Sequence, residues 1–245
     1  MRQVATTASL SSRLFPLAVL VIAAAASLVC LSAAGPLNGV LFGSCAVAAL
    51  LAPTLIAGES RWSGYLLTTA AVLVGCLVGP AVAVLQGNLN GRLFTAFVAV
   101  VAPLVIALGG LTALLVFIRL PIPVVTTVVT VLALAWLTWP IWLSPWLAGN
   151  ESLVSVLSPS HPLLVIDAAI SREGGTPWVE QRIMYGRLTV LGQHVFPRPP
   201  TGVGEAALFH GVVGLVAFLP VVCIQLWNFR RARRARPDWD EFEAV

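Results

Sequence analysis

The side chains able to do chemistry gather in one stretch near the C-terminal third of the chain. They are His161, Asp167, Glu173, Glu180 and His194, with His210 following a little later. A serine, a histidine and a carboxylate at Ser160, His161 and Asp167 suggest a nucleophile, base and orienting acid. Groups this close in sequence rarely converge in that geometry, however, and the Gly-x-Ser-x-Gly turn that presents a serine nucleophile is absent. His161, His194 and His210 with a carboxylate could in principle hold a zinc ion. Their spacing matches none of the short patterns that place two ligands on one helix face or turn. No catalytic, cofactor-binding or metal assignment follows, and no cofactor is implied. An enzyme built from His161, Asp167, Glu180 and His194 stays as a third reading behind two non-catalytic ones.

The rest of the chain explains where such a stretch must sit. Of 245 residues, 58% are hydrophobic and only 10% charged, with a mean hydropathy of +0.94. Soluble domains carry roughly a quarter charged residues, so a single water-soluble core cannot hide this much apolar surface. A helix crosses a bilayer with about 20 apolar residues. Six runs meet that length: 14–34, 37–57, 63–85, 93–118, 122–142 and 207–227. The connectors among the first five are short and rich in turn formers, such as Gly35-Pro36 and Arg119-Leu120-Pro121. They predict antiparallel neighbours and an all-α, polytopic bundle. The domain reading is a five-helix membrane region over 1–146, an extracytoplasmic segment over 147–206, a sixth span over 207–228 and a tail over 229–245.

All fourteen basic residues are arginine, a composition that fits a GC-rich bacterial genome and hence a bacterial inner (plasma) membrane. Arginine is enriched in short cytoplasmic segments. Arg2, Arg13, Arg61, Arg119 and the cluster Arg230, Arg231, Arg233, Arg234 and Arg236 are cytoplasmic if both termini are inside. The basic cluster is then a topology anchor, followed by the acidic Asp238, Asp240, Glu241 and Glu243. It points to the membrane surface rather than to nucleic acid. A competing reading makes the first run a cleaved signal peptide ending near Ser32-Ala33-Ala34, which would leave five spans.

Inside the spans no Asp, Glu, Lys or Arg occurs, which argues against an autonomous proton-coupled pump. No phosphate-binding loop is present either, so a transport role would need energy from a separate subunit. The four cysteines, Cys30, Cys45, Cys76 and Cys223, read as small buried hydrophobes. Gly75 and Gly79 would let another helix approach closely, within the chain rather than between copies. Trp136, Trp139, Trp142 and Trp146 read as an interfacial anchor at the end of the fifth span.

The segment from about 147 to 205 contains a short helix over 163–170, entered through Ser158-Pro159-Ser160-His161-Pro162. A second, amphipathic stretch runs from Trp178 to about Leu191, after Thr176-Pro177 as cap and first helical residue. The two either lie on the outer membrane surface or act as a lid or docking element over a path between helices. The first of them, Leu157-Ser158-Pro159-Ser160-His161-Pro162-Leu163-Leu164-Val165-Ile166-Asp167-Ala168-Ala169-Ile170, resembles a stretch found after the fifth span of ABC-2-type transporter permeases. The six-span layout with both termini inside is similar too. That resemblance implies a dimeric exporter subunit driven by a cytoplasmic ATPase. The chain departs from the family in lacking a connecting helix before the first span and in the shortness of the 58–62 loop. The other reading is a non-catalytic scaffold or assembly protein that docks a partner through 147–206.

Overall fold

The structure is a computed structural model that describes residues 2–33, 40–59, 62–147, 150–172 and 203–234. Among them every regular element is helical: α1 (Arg2–Ala33), α2 (Val40–Ile56), α3 (Trp62–Leu85), α4 (Gly91–Phe117), α5 (Ile122–Trp142), α6 (Ser144–Leu147), α7 (Glu151–Leu157), a 3-10 turn (Ser158–Ser160), α8 (Pro162–Arg172) and α9 (Val203–Arg234). Five of these contain stretches long and apolar enough to cross a membrane, at 15–32, 63–85, 91–117, 122–142 and 203–228. The sixth apolar run forms α2, a helix of 17 residues. At about 1.5 Å per residue it is about 25 Å long, short of the roughly 30 Å hydrocarbon core but within the lower end of spanning lengths. The chain is a multi-pass membrane protein, all-helical over the described residues.

Close backbone approach holds the bundle together, as expected where lipid removes the hydrophobic drive between helices. The α4–α9 contact is the most extensive and the α1–α3 contact the next. Gly75 and Gly79 of α3 face Ala23 and Ser27 of α1, so the Gly-x-x-x-Gly pair packs within the chain. The consecutive glycines of α4 serve different neighbours. Gly109 lies against Thr69 of α3 and Ile56 of α2, whereas Gly110 lies against Gly214, Ala217 and Phe218 of α9. Gly214 in turn meets Ile106 and Ala107. Both series of contacts advance in the same sense along the two helices, so α4 and α9 run parallel. The short connectors reverse direction between α4 and α5, and α5 therefore runs opposite to α9. The segment between them starts and finishes at one end of the bundle.

Prolines interrupt six of these helices, at Pro16, Pro53, Pro80, Pro103, Pro140 and Pro220. Each lacks the N–H that would bond the carbonyl four residues earlier, and in lipid that carbonyl needs another partner. At Pro80 it is the Cys76 carbonyl, which accepts from the Ser27 hydroxyl of α1 at 3.1 Å. Hydroxyls of Thr69 and Thr112 bond back to the Tyr65 and Leu108 carbonyls of their own helices. From the loop before α3, the Glu59 carboxylate folds back over Gly64 and accepts from Thr68 at 2.9 Å. Cys45 and Cys76 are buried, Cys30 is half-buried and Cys223 is exposed, and all four are free thiols.

A histidine-tryptophan seam as candidate functional site

The local sequence explains how α8 begins. Ser158-Pro159-Ser160 forms a 3-10 turn closed by the His161 N–H on the Ser158 carbonyl at 3.1 Å. His161 then adopts an extended conformation, φ −84° and ψ 119°, with Pro162 next. It is the N-cap of α8, and proline follows at the position where no N–H is needed. Its Nδ1 accepts from the Leu164 N–H at 3.2 Å, the bond that a serine or aspartate cap usually makes. The His161 carbonyl accepts the first intrahelical bond, from Val165 at 3.2 Å.

The other ring nitrogen reaches α5. Pro140 cannot serve the Trp136 carbonyl, and His161 comes to this break in the helix. His161 Nε2 donates to the Leu137 carbonyl at 3.2 Å, and the Trp136 carbonyl also lies against the ring. Because Nδ1 is an acceptor, the tautomer is fixed with its proton on Nε2. His161 is completely buried, and that burial lowers its pKa from 6.5 to about 3, against the raising effect of the Leu137 carbonyl. A second histidine mirrors the first from α9. His210 Nδ1 donates to the Ala206 carbonyl at 2.8 Å, and its Nε2 accepts from Trp136 Nε1 at 3.2 Å. Trp136 also stacks on Phe209 with ring centroids 5.4 Å apart, and the edge of Trp139 packs against His161 at 5.5 Å.

These contacts give α8 its seat. It packs on α4, α9 and α2, and every residue from His161 to Asp167 is buried. The continuous apolar run Leu163-Leu164-Val165-Ile166 suits a helix enclosed on all sides. The sequence pattern predicted this helix over 163–170, and it covers 162–172.

The residues singled out in the sequence are brought together only in part. His161 and His210 share the seam, and Asp167 is buried one and a half turns further along α8 with interactions of its own. Glu173, Glu180 and His194 lie outside the described residues, as do the 178–191 stretch and Arg236. The four tryptophans divide into two pairs. Trp142 and Trp146 are exposed, at 54% and 83%. Trp136 is half-buried and Trp139 only 2% exposed, both inside the seam. Arg230 and Arg231 are exposed on the last turns of α9, where Arg233 and Arg234 follow in the same helix.

As chemistry, both imidazoles are neutral hydrogen-bond bridges with every ring nitrogen engaged. No group of three His, Cys, Asp or Glu among the described residues is placed to hold a metal ion. Two buried polar atoms of the seam have no partner, Trp139 Nε1 and Ser158 Oγ. The seam ties α8 to α5 through His161 and α5 to α9 through Trp136 and His210 in a multi-pass membrane protein. No family model, curated protein or solved structure matches this chain.

Proposed function

We propose that the chain is the membrane subunit of a transport complex energised by a separate cytoplasmic ATPase. It would cross the membrane six times with both termini cytoplasmic, and the 147–206 segment would form an outer gate. The supporting observation is the seating of α8: a short helix, not itself a span, is enclosed by α2, α4 and α9 and tied to the broken part of α5. Bonds at a proline break can be exchanged without disrupting a continuous helical ladder, which suits an element that moves. The arginine distribution supports the orientation, and the absence of charge from the spans except at the helix ends, Arg92 and Glu205, supports an external energy source. The resemblance of 157–170 to ABC-2-type permeases points to the same role.

The test is purification from native membranes in mild detergent, followed by reconstitution in nanodiscs. An ATPase should copurify, and a disulfide between α8 and α5 should abolish substrate-stimulated hydrolysis. Isolation with a stable partner that has no nucleotide-hydrolysing activity would replace this reading. The replacement would be a scaffold that docks through the outer segment, where exposed apolar Trp146, Leu153 and Val156 on α6 and α7 favour it.

A further inference from the structure

From the hydrogen-bond directions in the seam we infer that His161 and His210 form an acid-sensitive latch that releases α8 from the bundle. The inference concerns the mobility of α8 and holds whether the protein transports or scaffolds.

Each imidazole uses one nitrogen to donate and the other to accept. His161 accepts from the Leu164 N–H and donates to α5, while His210 accepts from Trp136 and donates to its own helix. A proton added to either acceptor nitrogen sets two N–H groups face to face and removes the bond. At His161 the damage is threefold. The N-cap bond is lost, a positive charge appears at the positive end of the α8 dipole, and that charge is enclosed in apolar surroundings. At His210 the loss is the bond that ties Trp136 of α5 to α9. Both events loosen the same elements.

The charged and titratable groups on the packed elements are few among the described residues. Asp167 and Arg172 lie on α8 itself, Glu205 at the near end of α9 with Cys223, Arg230, Arg231, Arg233 and Arg234 far along it, Arg92 on α4 and Cys45 on α2, while α5 carries none. Burial dominates the behaviour of His161, and His210 is the one charged-group influence upon it. Asp167 is therefore the group to separate from the histidines.

Hydrogen exchange read by mass spectrometry on the full chain in nanodiscs tests this directly, with intrinsic rates corrected for pH. Between pH 7.5 and pH 5, amides of 163–170 should lose protection by about thirty-fold, while those of 97–108 in α4 keep theirs. The pair His161→Gln and His210→Asn keeps the two donors and removes the titration, so the loss should shrink to under three-fold. Asp167→Asn should leave it intact. The latch is overturned if the wild-type α8 amides do not respond to pH, if α4 opens with them, or if Asp167→Asn alone abolishes the response. Should the double variant fail to fold, the wild-type comparison of α8 with α4 and the Asp167→Asn protein still decides.

Discussion

The Ser27 hydroxyl of α1 donates to the Cys76 carbonyl of α3, the carbonyl that Pro80 leaves without its helical partner. The same oxygen accepts from the Gly79 N–H at 3.0 Å, so one small side chain bonds α3 twice beside the break. Ser27→Ala strands the Cys76 carbonyl in an apolar setting. A loss of about 1–2 kcal/mol is expected, the upper part of the range for interhelical hydrogen bonds in membranes. Pro80→Ala restores the helical bond, so in that background the Ser27→Ala cost should fall to well under half. Equal costs in the two backgrounds, measured by unfolding in mixed micelles, would show that the proline is irrelevant to this contact.

Glycines at helix contacts should behave unlike glycines facing open space. A Cβ at Gly110 would lie 2.9 Å from the Gly214 carbonyl and 3.0 Å from Phe218, and one at Gly214 would lie 3.0 Å from the Ala107 nitrogen. Gly110→Val and Gly214→Val must therefore push α4 and α9 apart, at an expected cost of about 2 kcal/mol or more. Gly211 is on the same helix with nothing within 4 Å. Gly211→Ala should be neutral or stabilise by up to about 1 kcal/mol through helix propensity. Thermal melts of the three variants would rank them, and a Gly211→Ala loss matching the others would sink the packing account.

Two helix ends use one backbone solution with different residues. Gly87 at φ +73° closes α3 and Arg119 at φ +67° closes α4. In each, the following amide bonds back five residues, Asn88 to Ala83 at 2.9 Å and Leu120 to Leu115 at 3.2 Å. That is the left-handed cap glycine prefers. Arginine there complements the negative helix end but carries the left-handed penalty. Arg119→Gly should stabilise by about 1 kcal/mol, and Gly87→Ala should destabilise by a similar amount. Opposite signs in a stability assay confirm the conformation. A loss at Arg119→Gly would mean the guanidinium makes a contact worth more than the strain.

The helices were legible in the sequence because apolar length and turn chemistry act locally. The run at 163–170 and the Gly75-x-x-x-Gly79 contact within the chain are examples. The seam was not legible in the same way. His161 meets Leu137 across 24 residues, and nothing in a pattern of types says which orphaned carbonyl a distant ring will find. The spacing of Trp136, Trp139, Trp142 and Trp146 suggested one set with one role. Pro140 alters the helix between the second and third of them, and two face inward while two face out. A usable signal was present in Ser158-Pro159-Ser160-His161-Pro162, where proline after histidine marks the histidine as an N-cap.

Ser158 offers a test of the seam's interior. Its hydroxyl is 4% exposed as a residue and has no partner, a burial that costs on the order of 1–3 kcal/mol if nothing else satisfies it. Ser158→Ala removes the oxygen with almost no change in shape, so it should stabilise the protein by about 1 kcal/mol. Destabilisation instead would mean that a small polar molecule bonds to this hydroxyl, and Trp139→Phe should then weaken the same site.

Acid should destabilise the fold through His161, and the sign can be worked out. Its folded pKa of about 3 lies below the unfolded 6.5, so below pH 6.5 the unfolded chain binds the proton more readily. The stability tied to neutral His161 is full above pH 6.5 and is lost progressively as pH falls toward 3. At pH 5 the loss is about 2 kcal/mol, from one and a half pH units at about 1.4 kcal/mol each. His161→Gln keeps the Nε2 donor toward Leu137, lacks the titration, and should be flatter over pH 7 to 5 even if it is less stable throughout. Parallel curves for the two proteins in a pH series of thermal melts would place the acid sensitivity on some other group.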